Sequence, residues 1–146
     1  MVTRFSAKFT NEAIADGTYA GITETGVLGE TVAFGEPVYF KAGDSRWWLA
    51  KAIGTATSGA VKIGICVVGG EAAATGTILL YGKIRADSLF PEMTISAPMY
   101  LDAANFGRIV VAAPTGTTNF VVRIIGFAKT ADELLWCPDN TYVELA

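Results

Sequence analysis

Short apolar runs follow one another along this 146-residue chain, and its 16 glycines fall between them at close intervals. Runs rich in Val, Ile, Tyr, Phe and Thr, bounded by turn-forming residues, read as β-strands. Many such runs in succession predict an all-β, single-domain barrel or sandwich. Strands are expected near Thr18–Ile22, Pro37–Phe40, Arg46–Lys51, Val61–Val68, Thr77–Lys83, Met99–Asp102, Arg108–Ala112, Phe120–Ala128, Glu133–Trp136 and Thr141–Leu145. One run alternates: Val61, Ile63, Ile65 and Val67 share a face, with Lys62, Gly64 and Cys66 on the other. Ile78-Leu79-Leu80-Tyr81 is apolar on both faces, which suits a strand covered by a second layer or lying against a partner subunit.

The pattern is written twice. Pro37-Val38-Tyr39-Phe40-Lys41-Ala42 is echoed by Pro98-Met99-Tyr100-Leu101-Asp102-Ala103, a step of 61. Arg46-Trp47-Trp48-Leu49-Ala50 is answered by Arg108-Ile109-Val110-Val111-Ala112, and Ile63-Gly64-Ile65 by Ile125-Gly126-Phe127, both at a step of 62. Leu79-Leu80-Tyr81 has a shorter-spaced counterpart in Leu134-Leu135-Trp136. The turns Lys41–Ser45 and Asp102–Gly107 occupy equivalent places, and the second is one residue longer, which accounts for the change of step. Two similar half-units are therefore expected, over approximately 33–82 and 94–137, within a β-domain spanning 18–146. Pro37 and Pro98 each open a strand, where a missing N–H costs least. The repeated positions are packing and turn residues rather than reactive groups.

Residues 1–17 fit neither half. Phe5 and Phe9 stand there with few apolar neighbours, and Thr10–Gly17 has the residues for one helical turn, capped by Thr10 and stopped by Gly17. The segment reads as an extended arm that docks on a neighbour, or as a frayed terminus.

Composition sharpens this picture. Hydrophobic residues make up 51% of the chain and charged residues 17%, against about 25% charged in ordinary soluble domains. So few charges leave apolar patches on the surface, and such patches mark contacts with other proteins. A homo-oligomer or a subunit of a larger assembly is expected. The net charge of −3 comes with scattered single basic residues, so neither nucleic acid nor an anionic membrane surface is an expected partner. No run approaches the ~20 apolar residues of a membrane span, and the start lacks a signal-peptide pattern. Cys66 and Cys137 make no disulfide framework and read as buried thiols.

Candidate chemistry is sparse. The chain has no histidine, which removes the usual general base and the commonest metal ligand. Two isolated cysteines make no zinc site. Glu30 with Glu36, and Asp132 with Glu133, read as solvated carboxylates, and Asp102 with Asn105 as turn residues rather than calcium ligands. The glycines of Gly54–Gly59 lack the Lys-Ser/Thr of a phosphate loop. No catalytic residue, metal or cofactor is expected. Adjacent Trp47 and Trp48 point to opposite faces of their strand, so only one belongs to the core. The other is expected to fill a protein–protein contact or to stack on a sugar ring, the contact being favoured because Val110 answers Trp48 in the second half.

The run Gly29-Glu30-Thr31-Val32-Ala33-Phe34-Gly35-Glu36-Pro37-Val38-Tyr39-Phe40, followed by Arg46-Trp47-Trp48-Leu49-Ala50-Lys51-Ala52, resembles a pattern in tailed-bacteriophage virion proteins. Gly82-Lys83-Ile84-Arg85, Ala97-Pro98-Met99-Tyr100-Leu101 and Ile124-Ile125-Gly126-Phe127-Ala128 continue it. The chain is similar, over roughly residues 20–145, to the small capsid cement (decoration) proteins. That resemblance implies a β-barrel-like fold, no enzyme activity, and a symmetric oligomer, a trimer, on the outer surface of the virion. It also implies that the partner is the major capsid protein, clamped between neighbouring subunits. Phe5, Phe9, Trp47 and Trp48 are the candidate contact residues. The alternative is a β-structured fibre or tail-associated module that binds a receptor or glycan.

Overall fold

The computed structural model describes residues 13–146, and these are all-β with one short helix. In chain order the elements are β1 (Thr18–Val27), β2 (Pro37–Lys41), β3 (Arg46–Leu49), α1 (Thr55–Ser58), β4 (Ile63–Val68) and β5 (Thr75–Arg85). They continue with β6 (Pro98–Leu101), β7 (Ile109–Val110), β8 (Val121–Val122), β9 (Ile124–Ala128), β10 (Glu133–Trp136) and β11 (Val143–Glu144). Nine strands form one antiparallel sheet that curls into a half-barrel, eight in the order β3-β2-β4-β5-β10-β9-β6-β7 with β1 as the ninth paired to β5, and β8 with β11 makes a small second sheet. Phe5 and Phe9 lie outside the described residues. Thr10, the expected cap of a helical turn, also lies outside the described residues; within them Asp16 and Gly17 form a turn, with Gly17 at φ 74°.

Strand β5 organises the sheet. On one edge β1 pairs with it along its whole length, from Thr18↔Arg85 to Val27↔Thr75. Its other edge forks: β4 pairs with Thr77, Ile78 and Leu79, and β10 with the stretch from Gly82 to Arg85. At the fork Ile22 faces Tyr81 and Thr23 faces Leu79, leaving Leu80 as the extra residue of a bulge, a device that sharpens local twist. Next to the bulge Gly21 and Gly82 face each other at φ 157° and 147°. A Cβ on Gly82 would sit 2.2 Å from the Ala20 carbonyl, and one on Gly21 would sit 2.1 Å from that of Tyr81. Only glycine permits the two backbones to approach so closely.

The two half-units share one register. Val38 opposes Gly64 between β2 and β4, and Met99 opposes Gly126 between β6 and β9. Tyr39 pairs with Trp48, and Tyr100 with Val110. The correspondence reaches back into the turns that lead into β2 and β6. Glu36 N donates to Ala33 O, Gly35 N to Cys66 O, and Cys66 N to Glu36 O. Ala97 N donates to Thr94 O, Ser96 N to Ala128 O, and Ala128 N to Ala97 O, bond for bond. Gly35 and Ser96 both adopt positive φ, as do Ser45 and Gly107 in the following hairpins. The expected match of Leu79 with Leu134 is displaced by one residue. Ile65 opposes Leu79 while Phe127 opposes Leu135, so Leu79 corresponds to Leu135.

The sheet curls around one large core that gathers Ile63, Ile65 and Leu79 from the first half with Met99, Leu101, Ile109, Leu134 and Trp136 from the second. A smaller cluster of Leu28, Val32, Val38, Trp47, Cys66 and Ile78 lies on the sheet's outer side. The halves turn opposite faces inward. Val38, Trp47 and Cys66 belong to the outer cluster, whereas their counterparts Met99, Ile109 and Ala128 belong to the main core. Conversely, inward Ile65 is answered by Phe127, which is 41% exposed.

Three differences from the sequence reading have local causes. The expected strand Phe120–Ala128 breaks at Arg123, whose side chain turns inward, and its two parts join different sheets. Expected Arg108–Ala112 shortens to Ile109–Val110. Helix α1 was not anticipated, because Thr-Ala-Thr-Ser between two glycines carries no helical periodicity.

The matched turns supply a paired test. In a non-glycine residue the left-handed conformation costs about 1–2 kcal/mol, while glycine adds about 0.5–1 kcal/mol of unfolded-chain entropy. Ser45→Gly should therefore stabilise the protein by roughly 0.5–1 kcal/mol. Gly107→Ala should destabilise it by about 1–3 kcal/mol, since its Cβ would also meet Glu36 Oε2 and Leu49 Cδ2 at 2.9 Å. Urea denaturation of the two variants checks both signs.

Candidate interaction surface

The two hairpin tips, where the halves differ in chemistry, are the first candidates for a working surface. At the β2–β3 tip Asp44 Oδ1 accepts from Arg46 N at 3.1 Å and closes the turn. The same carboxylate takes the Trp48 indole N–H at 3.0 Å through Oδ2, and Lys41 Nζ sits 4.7 Å from the centre of the Trp48 ring. The ring lies on the bare backbone of Gly29, where a Cβ would meet Trp48 Cε2 at 2.2 Å. Trp48 is thus half-buried and held on several sides. Trp47, 1% exposed, is the core member of the pair, tilted against Phe40 with ring centres 5.2 Å apart.

At the β6–β7 tip Asp102 accepts from Ala104 N at 2.8 Å and from Asn105 Nδ2 at 3.0 Å. These bonds account for Asp102 and Asn105 as turn formers. Phe106 projects from this tip, 49% exposed, with Lys51 Nζ 4.7 Å from its ring centre. Beside it Asp102, Ala103, Val110, Ala112, Pro114 and Phe120 line an open apolar groove of about 340 Å³. Val110 answers Trp48, so the groove lies beside the position where the first half carries its indole.

This hairpin is braced from below. Gly107 N donates to Ala50 O at 2.9 Å, Ala52 N to Asp102 O at 2.9 Å, and Val121 N to Ala52 O at 3.1 Å. Arg108 Nη1 reaches Glu36 Oε2 at 3.1 Å, linking the halves through a partly shielded pair. Phe106 and the groove therefore sit on a scaffold whose position is fixed by both halves. Glu36 Oε1 also caps Ala33 N at 2.7 Å, and Glu30 Oε2 accepts from Leu49 N at 3.0 Å. These two carboxylates serve the backbone.

No protein-family model, curated protein or solved structure matches this chain. The surface must be read from its own geometry. Among the described residues no three His, Cys, Asp or Glu side chains come together as a metal site, and no helix is long and apolar enough to cross a membrane. Of the four contact candidates, Trp47 occupies the core, Trp48 the surface, and Phe5 and Phe9 lie outside the described residues. The sequence reading missed Phe106 and the groove beside it. A lone Phe in a turn, away from any strand face, was the available signal.

Arg123 and Cys66 are buried groups that bear on the stability of the scaffold. Arg123, 7% exposed, spreads its guanidinium over backbone carbonyls: Nε to Asp139 O at 2.7 Å, and Nη1 to Gly59 O at 2.6 Å and Val61 O at 3.2 Å. Burial pushes its pKa down, partly offset by Asp139 and Tyr142. It ties the loop after α1 to the C-terminal segment. Cys66 is fully buried, and burial, reinforced by Glu36, pushes its thiol up to about 12.

Removing the Arg123 guanidinium would strand buried carbonyls, each at about 1–3 kcal/mol. Arg123→Met should therefore lower stability by at least ~2 kcal/mol, measured by denaturant unfolding. Cys66 gives a pH prediction. The folded state holds the thiol proton above pH 9, where an unperturbed thiol releases it, so deprotonation favours unfolding. Its contribution should be intact below about pH 9 and be lost as pH rises towards about 12. Cys66→Ala should flatten that alkaline slope in unfolding measurements taken across the same range.

Proposed function

We propose that this chain is a structural virion subunit that coats the outside of an assembled tailed-phage head and clamps neighbouring major capsid subunits. The observation that carries the reading is a braced β-scaffold that displays apolar side chains where a monomer in water would carry charges. Ile53, Phe106 and Val111 are all exposed at or next to the braced hairpin, and Asp102, Ala103 and Val110 of the same hairpin help line the apolar groove. Charged residues make up only 17% of the chain, which leaves such patches undiluted. The sequence resemblance to capsid cement proteins supports the same reading, and self-association into a trimer accompanies it.

The physical mechanism is linkage. A subunit whose footprint spans two capsid proteins binds the assembled lattice and not the free subunit. Binding the intact state alone stabilises it by about 2.7 kcal/mol per site at a hundredfold excess over Kd. Multiplied over a shell, this opposes the pressure of packaged DNA without any chemical step.

Sedimentation velocity of the purified protein, alone and mixed with shells of the cognate major capsid protein, tests the reading. Co-sedimentation with expanded shells but not with free capsid subunits is the expected result. The double variant Phe106→Ser/Val111→Ser should bind shells roughly tenfold or more weakly, because aromatic anchors carry a large share of interface energy. A discrete oligomer that ignores shells would overturn the reading and favour a receptor- or glycan-binding fibre or tail module.

A further inference from the structure

The two hairpins treat one position in opposite ways. In the first half the Trp48 ring lies on the Gly29 backbone, with its N–H on Asp44 and the Lys41 ammonium against its ring. Trp48 opposes Tyr39, and its counterpart Val110 opposes Tyr100. Lys41, Trp48 and Ala50 therefore correspond to Asp102, Val110 and Ala112, and these last three all line the open groove of about 340 Å³. Ala50 is fully buried, whereas Ala112 is exposed. The first half fills this position with its own indole, and the second, with valine there, leaves it open.

The groove is preformed. Asp102 N donates to Arg108 O at 3.0 Å and Ala52 N to Asp102 O at 2.9 Å, which fixes the hairpin wall. Asn119 N donates to Leu145 O and Leu145 N to Phe120 O, both at 2.8 Å, which fixes the wall at Phe120. Pro114 is buried and sets its own φ. Walls held in this way need little ordering when something binds, and that ordering is a main cost of association.

Its chemistry is selective. Ala103, Val110, Ala112, Pro114 and Phe120 make the lining apolar, and among the described residues that line it Asp102 alone carries a charge. The Asp102 carboxylate accepts from Ala104 N and Asn105 Nδ2, both neutral donors, so these bonds leave its negative charge uncancelled. Where the first half sets the Lys41 ammonium against its own indole, the second offers a carboxylate beside an open apolar space. The complement of that space is a flat apolar group that brings its own cation.

We propose that the groove receives a tryptophan or similar flat aromatic side chain standing next to a Lys or Arg on a partner protein. The inference rests on reading this hairpin as a contact surface, and it names the chemistry of what meets it. A small free ligand is usually enclosed over about 70–90% of its surface. A groove open on one side suits instead a side chain whose remaining surface is covered by its own protein. The partner's ring takes the place that the first half gives to Trp48, and the partner's cation meets Asp102. Aromatic and basic residues of this kind are the usual anchors of protein contacts.

Titrating the isotope-labelled full-length protein with tryptamine, an indole that carries an ammonium, tests this through amide chemical shifts. Saturable shifts are expected at Ala103, Val110, Ala112 and Phe120. Indole-3-propionate, similar in shape but anionic, should bind roughly fivefold or more weakly at low salt. Asp102→Asn should remove most of that difference, and Val110→Trp should fill the groove from its own backbone and abolish tryptamine binding. Saturable shifts confined to other residues, equal affinity of the wild-type protein for both probes, or no saturable shift at millimolar tryptamine would each overturn the proposal. So would tryptamine binding that survives in a folded Val110→Trp variant. Concentration-dependent broadening of the groove amides without any probe would assign the groove to a second copy and overturn it as well. These titrations use the free protein without shells. A protein that takes tryptamine but ignores shells keeps this inference and loses the capsid reading, and the reverse result does the opposite.

Discussion

Every strand of the large sheet ultimately hangs on the backbone of β5. Its N–H and C=O groups are shared among three neighbours, with β1 on one edge and β4 and β10 dividing the other. A flat sheet cannot accommodate two strands end to end on one edge while each continues into its own set of partners. The bulge at Leu80 and the side-chain-free Gly21–Gly82 crossing let the sheet bend at that place, and the bend brings the two halves together around Trp136, Leu134, Ile65 and Leu79. The rest of the architecture follows from this geometry. The main core is what the curl encloses, and the outer cluster is what β1 can cover as it leaves the fork.

Much of this was legible in the residues. Alternation in Val61–Val67 placed Ile63, Ile65 and Val67 on one face, and all three belong to the main core, with Cys66 behind them. The Ile78-Leu79-Leu80-Tyr81 run was read as covered by a second layer or lying against a partner; Leu79 is in one cluster with Ile78 and Leu80 at the other, while Tyr81 is exposed. The adjacent tryptophans separated into a core and a surface residue as period-two geometry requires.

What the sequence concealed was orientation. A repeat in sequence carries packing preferences but not the direction in which a unit faces, because a strand apolar on both sides fits either way. Ile65 and Phe127 are equivalent by register and opposite in environment, since the fork turns the second unit over. The one-residue displacement at Leu135 has the same origin, because β10 joins the sheet beyond the bulge. Arg123 was hidden for a different reason. It sits in an apolar stretch where a strand is the natural reading, and only the distant carbonyls of Gly59, Val61 and Asp139 explain its burial.

The opposed facing of the two halves has a consequence for assembly within the chain. A unit that presents one face to its neighbour and receives the other is associating heterologously, and head-to-tail association has no built-in end. The chain is thus a polar stack of two members rather than a closed pair. The main core is an interface between unlike surfaces, even though the units that form it are alike. Duplication could extend such a stack by a third unit without redesigning the existing contact, whereas a twofold-symmetric pair would have no free matching face left to extend.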